Sequence, residues 1–392
     1  MKILAVNAGS SSLKFQMYEM PEEAVLISGT FERIGIGGSF YTIKINGEKT
    51  KKEKEFKSHS EAVATLIDEL ISNKVIASLD EIKGVGHRLV HGGEKYAQSV
   101  IINDDVIKTV DELSELAPLH NPANLIGVRA FMEKVPNALE VGCFDTAFHQ
   151  TMDEKEYLYP VPYEWYTKYG VRKYGFHGMS HNYIASRMKE ILGGDYRIIS
   201  CHIGNGASLC AIKDGKSIDT SMGFTPNAGL MMGSRSGDID ATLIPFIMNK
   251  TGESLDEVIN DLNKKSGYLG VSGISSDSRD IEAAIEAGDE KAILAQKMYV
   301  ERIVNYIAEY YLEMNGADAI VFTAGVGENS ISTRKAIIDS LSSLNIFLDD
   351  ERNNVRGKEQ LISSDNSSVK VYVIPTDEEV MIARDTYNFI NE

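Results

Sequence analysis

Two periodicities alternate along the chain, and the points where they switch mark the elements. Residues 3–6 are an unbroken apolar run, the pattern of a buried strand. A turn of small polar residues, 7–12, follows. On the return, Leu13, Phe15 and Met17 alternate with Lys14 and Gln16, which predicts a β-hairpin with a Gly/Ser tip. A third strand is predicted near residues 40–45, running into an Asn46-Gly47 turn. Ser58 and Glu61 are spaced as a capping box, and behind them Val63, Leu66, Ile67, Leu70 and Ile71 share one helical face. Residues 81–90 read as strand then loop, 103–116 and about 122–133 as helices, and 139–144 as a buried strand ending at Asp145.

Residues 151–173 lose this periodicity. They are rich in Tyr and Pro, hold the single Trp165, and read as a connector into a second lobe that packs against a partner subunit. After a helix over 180–192, residues 198–212 repeat the opening device: strand, small-residue turn with Gly, Ser-Leu, returning strand. Ser12-Leu13 and Ser208-Leu209 lie half a chain length apart, which points to a duplicated hairpin lobe. Residues 290–314 predict a long helix closed by Asn315-Gly316. Residues 319–322 predict a buried strand followed by a helix to about 340, and 369–374 the last strand. Thr376 and Glu379 read as a capping box for a final helix. Strands alternate with helices throughout, so the fold class is α/β in two lobes.

The length of 392 residues, at about 150 per domain, agrees with two to three lobes. Acidic residues outnumber basic ones 57 to 40, a net charge of −17. That field opposes nucleic acid and anionic lipid, so anionic substrates would need local cations. Cys143, Cys201 and Cys210 make an odd count without metal-type spacing, which favours a reducing compartment over a disulfide framework. The opening apolar run is too short for a signal peptide, and no run approaches the roughly 20 residues of a membrane span. The expectation is a soluble cytoplasmic protein.

Five glycine- or arginine-bearing segments carry candidate chemistry. The turn from Asn7 offers backbone amides and hydroxyls, with Lys14 close behind; it is either a phosphate loop or a tight hairpin turn, and it is not a Walker A loop. His202, Ile203, Gly204, Asn205 and Gly206 repeat the device, so that two loops grip one polyphosphate. Gly325, Val326, Gly327, Glu328 and Asn329 follow a buried strand and open a helix, a setting that holds anions, though without a dinucleotide fingerprint. Arg88 and Arg235 sit in Gly-rich polar surroundings, where each is a structural ion pair or part of a clamp on a transferring phosphoryl group. Asp145 ends a buried strand, the usual place for a site in an open α/β sheet. The histidines show no zinc spacing, and Glu378 is the freer carboxylate of the last helix if Glu379 serves the capping box.

Together the segments resemble the acetate kinases, of the acetate and sugar kinase, Hsp70 and actin superfamily. The resemblance rests on NAGSSSLKF from Asn7, HRLVHGGE from His87, APLHNPANL from Ala117, FDTAFHQT from Phe144, YGFHGMSH from Tyr174, HIGNGASL from His202, GSRSGDID from Gly233 and FTAGVGENS from Phe322. It implies duplicated ribonuclease-H-like cores: an actin-like lobe over 1–150 completed by the helix 377–392, and a second over 151–376 that binds nucleotide and dimerises. It implies ATP and Mg²⁺ (with Mn²⁺ as a substitute) in a cleft, a homodimer, and reversible transfer of the γ-phosphoryl group of ATP to acetate, giving acetyl phosphate and ADP. By motif position, Asn7 and Glu378 would hold the metal and Lys14 would contact phosphate. Arg88 would bind the carboxylate, while Val90, Leu119, Phe176 and Pro226 would form the methyl pocket. Asp145, His177 and Arg235 would be catalytic. The segment from His202 to Gly206, with Asp277, Ser278 and Arg279 and the segment from Gly325 to Asn329, would surround ATP.

The chain departs from the family pattern at Asp377, where Asn is usual, and at Asp153 and Ala241, where Pro is usual. Asp377 would place an extra negative charge beside the proposed metal ligand. Acetate is already ionised at neutral pH, so it needs no general base. Cations and positioning should then dominate, with Asp145 orienting the metal or its waters, although the family role is often written as acid/base. Propionate kinase is the nearest alternative, since one methylene is worth only about 1–3 kcal/mol. An ATP-driven chaperone or filament protein on the same scaffold is the non-enzyme alternative.

Overall fold

The computed structural model describes every residue from Met1 to Glu392. The chain forms two compact units, Met1–Gln150 with Asp377–Glu392, and Thr151–Thr376.

The first unit is built on eight strands: β1 Lys2–Ala8, β2 Ser12–Glu19, β3 Ala24–Glu32, β4 Phe40–Ile45, β5 Glu48–Glu53, β6 Ile82–Leu89, β7 Val100–Ile101 and β8 Leu139–Phe144. Their order is β5-β4-β3-β2-β1-β6-β8-β7. β1 pairs antiparallel with β2 and parallel with β6, which in turn runs parallel to β8. The run at 40–45 is therefore the fourth strand. β3 escapes the alternation rule because Gly29 interrupts it and reads as a turn. Gly29 is instead a point of close approach: a Cβ there would lie 2.4 Å from the Thr42 carbonyl oxygen and 2.7 Å from the Phe15 ring. Val63, Leu66 and Leu70 of the helix His59–Ser72 and Phe131 of the helix Asn121–Lys134 fill the core with Leu4, Val6 and Phe15.

Ser58 caps its helix by accepting from the Glu61 amide, but Glu61 bonds the Lys57 amide, so the box is half made. The final helix, Glu378–Asn391, packs directly on β6 because Gly84 and Gly86 leave room. A Cβ on Gly86 would meet Ile382 at 2.3 Å and Thr386 at 2.4 Å. The box expected at Thr376 and Glu379 is absent. Asp377 is the cap, accepting from the Val380 amide at 2.9 Å, while Thr376 bonds Ser180 and Glu379 pairs with Lys14 at 2.5 Å. The carboxylate of Asp377 is a stronger N-terminal cap than the hydroxyl of Thr376, which explains the shift by one residue.

The second unit carries β9 Arg197–Ile203, β10 Ala207–Lys213, β11 Lys216–Thr220, β12 Ala319–Thr323, β13 Gln360–Leu361 and β14 Lys370–Val373, in the order β11-β10-β9-β12-β14-β13. From β11 to β14 the pairings run antiparallel, antiparallel, parallel, parallel, as they do from β3 to β8. The duplication read from two hairpins thus extends over five strands of each sheet. The long helix is Glu290–Glu313, ended by Asn315 and Gly316 at φ 54° and 100°. The helix expected after β12 is two helices, Ala324–Asn329 and Ile331–Asp339, divided at Ser330, which caps the second. Ala324, not a glycine, takes the left-handed conformation of that turn, at φ 65°.

Candidate active site

In the first unit, three site residues lie at strand ends on one edge of the sheet. Asn7 is the penultimate residue of β1, Arg88 is near the end of β6, and Asp145 follows β8, with its amide donating to the Leu89 carbonyl at 2.9 Å. Arg88 grips Asp145 through two bonds, Nε to Oδ1 at 3.0 Å and Nη2 to Oδ2 at 2.6 Å. The Glu378 carboxylate, delivered by the first turn of the last helix, is 3.9 Å from Arg88 Nε. Burial works against charge on Arg88, but Asp145 and then Glu378 outweigh it and hold the guanidinium firmly protonated. Burial pushes the Glu378 carboxyl above its ordinary value; Arg88 opposes this, while Asp145 and Glu379 add to it. Three carboxylates, Asp145, Glu378 and Glu379, thus face two cations, Arg88 and Lys14. That surplus of hard oxygen ligands fits a divalent cation.

The loop behind Arg88 is fixed by two residues that the sequence reading passed over. Asn124 accepts from the Val90 amide at 3.1 Å and donates to the Ala8 carbonyl at 2.7 Å. Asn121 brackets His91, accepting from its amide at 3.2 Å and donating to its carbonyl at 3.1 Å. Buried asparagines at the start of a helix are the signal, because such side chains seek backbone partners. Of the pocket candidates in this unit, Val90 is buried and Leu119 is 71% exposed.

In the second unit, His177 precedes the helix Gly178–Leu192 in a left-handed conformation, φ 56°, and stacks on His202 with centroids 4.0 Å apart. The turn between β9 and β10 is closed by the Gly204 amide on the Gly206 carbonyl at 3.1 Å. The position a Cβ on Gly206 would take is 3.3 Å from Arg235 Nη1 and 3.7 Å from His177 Nε2. Glycine therefore leaves open a spot flanked by a guanidinium and an imidazole. No carboxylate pairs with Arg235, whose one hydrogen-bond contact is the Met232 sulfur at 3.9 Å. Burial alone pulls its guanidinium below the ordinary value. An unpaired, half-buried cation of this kind is set for an anion. Phe176 is buried and Pro226 half-buried in the same unit.

Beside this spot lies a cavity of ≈ 600 Å³. Gly204, Asn205, Asp277, Ser278, Arg279, Gly325, Val326 and Asn329 line it, and Gly233, Tyr268, Ser276, Glu282, Ser330 and Arg356 complete it. Ile203, Gly327 and Glu328 do not reach it: Ile203 is fully buried, Gly327 packs on Phe322, and Glu328 accepts from the Thr376 amide at 3.2 Å. Arg279 bonds Asp277 and holds its carboxyl down at about 2. Beneath the segment at 325–329, the buried Arg334 donates to the Gly327 carbonyl at 2.9 Å and to Asn353 and Val355. No motif marks Arg334; only its burial does.

The model of the Acetokinase family matches residues 2–384. The acetate kinase of Bacillus cytotoxicus is 57% identical over 393 aligned positions, spanning 100% of this chain and 99% of that protein. The chain belongs to the acetokinase family. The acetate kinase of Bacillus subtilis is 56% identical over 98% of each chain. The crystal structure of Porphyromonas gingivalis acetate kinase superposes with a TM-score of 0.95 at 50% identity over all of both chains. A propionate kinase from Francisella tularensis gives 0.94 at 41% identity over 99% of each. Acetokinase folds of this likeness bear out the α/β class and the family resemblance drawn from the motifs.

Proposed function

We propose that this acetokinase is an acetate kinase, moving the γ-phosphoryl group of ATP reversibly to acetate through direct in-line transfer. The observation that carries the reading is Arg235: a guanidinium without a carboxylate partner, beside His177 Nε2, over a turn stripped of side chain at Gly206. The full-length identity to curated acetate kinases supports it.

The adenine nucleotide occupies the cavity lined by Gly204, Asn205, Asp277 to Arg279 and Gly325, and its phosphates run toward Arg235. Acetate binds as the anion at Arg88. Asp145 already occupies Nε and Nη2 of that guanidinium, so Nη1 remains for the substrate carboxylate. Acetate needs no deprotonation, and the barrier is the approach of one anion to another. Arg235 and the His177 N–H offset the charge on the equatorial oxygens of the transferring group. Mg²⁺, with Mn²⁺ as substitute, would be held by Asn7 and Glu378 and would neutralise phosphate charge. Asp145 holds Arg88 in place and would orient the metal's waters. Val90, Leu119, Phe176 and Pro226 would enclose the methyl group.

A homodimer fits the surface of the second unit. The helix Leu243–Thr251 buries none of its residues, and Leu243 and Phe246 are 48% and 56% exposed. Leu255 and Ile259 extend this apolar patch. Phe246→Glu should convert a dimer to monomer in light scattering; an unchanged mass places the interface elsewhere. The three cysteines are free and buried, which supports a cytoplasmic location. No helix is long and apolar enough to cross a membrane.

The test is trapping of acyl phosphate by hydroxylamine with ATP, Mg²⁺ and a panel of formate, acetate, propionate, butyrate and glycerol. Hydroxamate formed best with acetate supports the reading. Product with glycerol, or none with any acid, refutes it.

A further inference from the structure

A chain of hydrogen bonds leads from His177 into the core. His177 Nδ1 lies 2.9 Å from Ser208 Oγ, Ser208 Oγ lies 2.8 Å from His181 Nε2, and His181 Nδ1 lies 2.9 Å from Ser200 Oγ. Ser208, His181 and Ser200 are all fully buried. His177 is the only member whose far edge, Nε2, faces the open spot at Gly206 shared with Arg235.

The Ser208 hydroxyl has one proton and two ring nitrogens to serve. If it donates to His177 Nδ1, it must receive from His181 Nε2–H. The His177 proton then sits on Nε2, pointing at the spot beside Arg235, and His181 Nδ1 accepts from Ser200. If the chain runs the other way, His177 Nδ1–H donates to Ser208, Ser208 donates to His181 Nε2, and His181 carries its proton on Nδ1. A neutral His177 would then turn a lone pair toward the phosphoryl oxygens. The two tautomers of His177 are therefore locked to the two tautomers of His181 through one hydroxyl. Stacking on His202 fixes the ring plane.

We propose that His181 is a positioning residue: by donating from Nε2 to Ser208, it keeps His177 as the neutral Nε2–H tautomer that donates to the transferring phosphoryl group. The claim rests on the reading of His177 as a phosphoryl contact. The tautomer itself is readable without catalysis.

The experiment uses the full chain labelled with ¹⁵N-histidine and two-bond ¹H–¹⁵N correlation, with rings assigned from His177→Gln and His181→Gln spectra. The wild type should show His177 protonated at Nε2 and bare at Nδ1, and Ser208→Ala should leave a mixture of tautomers. His177 protonated at Nδ1 in the wild type, or an unchanged tautomer in Ser208→Ala, overturns the proposal. In the kinetic arm, His181→Leu should lower kcat about tenfold, the scale of one lost hydrogen bond, with both KM values within about twofold. His181→Gln keeps an N–H donor toward Ser208 and should restore kcat to within about threefold of the wild type. Equal losses in Leu and Gln variants that retain the wild-type circular dichroism refute the donor role. If neither variant folds, the Ser208→Ala spectrum decides. An Nε2–H tautomer in a protein that fails to phosphorylate acetate would sink the substrate assignment and leave the positioning intact.

Discussion

Glu313 ends the long helix with one carboxylate oxygen within 4.8 Å of one oxygen each of Glu156 and Asp219, and its Oε1 is buried without a hydrogen-bond partner. Lys173 pairs with Asp219 and Lys155 with Glu156, each at 2.5 Å, so neither lysine is committed to Glu313. Burial first, then Asp219 and Glu156, push the Glu313 carboxyl up to about 7 from its ordinary 4.5, against the pull of Lys155 and Lys173. Between those pH values the folded chain keeps a proton that the unfolded chain has released. Stability therefore falls as pH rises through the window, and the loss is complete only above about pH 7 to 8. The gap between the two values is worth about 3 kcal/mol at most. Water reaches part of the side chain and the two lysines can follow its charge, so about 1–2 kcal/mol is expected. Glu313→Gln keeps the shape and removes the charge. In thermal unfolding monitored by circular dichroism it should gain about 2–6 °C at pH 8 and nothing at pH 4.5. An equal shift at both pH values, or a loss at pH 8, would refute the argument, because the benefit must vanish where the wild-type carboxyl is already neutral.

Arg235→Ala should lower kcat about 10²–10³-fold, with a smaller change in the KM for ATP. A raised KM with kcat intact would make Arg235 a ground-state anchor. Arg88→Ala should act chiefly on the KM for acetate and leave that for ATP near its wild-type value. It should also release the Asp145 carboxylate, so a KM for acetate that stays put would show the substrate anchored elsewhere. Asp145→Asn should lose activity that raised Mg²⁺ partly restores. A loss indifferent to Mg²⁺, with a displaced pH profile, would assign Asp145 to proton transfer.

Strand and turn chemistry was legible wherever one residue class served one purpose. The hairpins at 3–17 and 198–212 follow from alternation and small-residue turns, and the long helix from its apolar stripe and Asn315-Gly316 cap. β3 was not legible, because Gly29 is required by the nearness of Thr42 and Phe15 rather than by a turn, and spacing along a chain carries no record of a neighbouring strand. The cap at Asp377 was missed for a related reason. Thr376 and Glu379 have the right spacing, but each is claimed by a distant partner, Ser180 and Lys14. Arg88, Asp145 and Glu378 could be named from motifs. Their mutual pairing, the service of Asn121 and Asn124 behind the Arg88 loop, and that of Arg334 beneath residues 325–329 depend on contacts that only the folded chain creates.

The helix Glu378–Asn391 follows Thr151–Thr376 in the chain, yet it packs on β6, in the unit that holds Met1–Gln150. On the ribosome, the earlier strands must wait, with Gly84 and Gly86 uncovered, while the whole of Thr151–Thr376 emerges as an uninterrupted stretch able to collapse by itself. Synthesis order and completion order are thereby inverted. Glu378 enters only with that helix, so the carboxylate that faces Arg88 arrives after every strand of both sheets has been made.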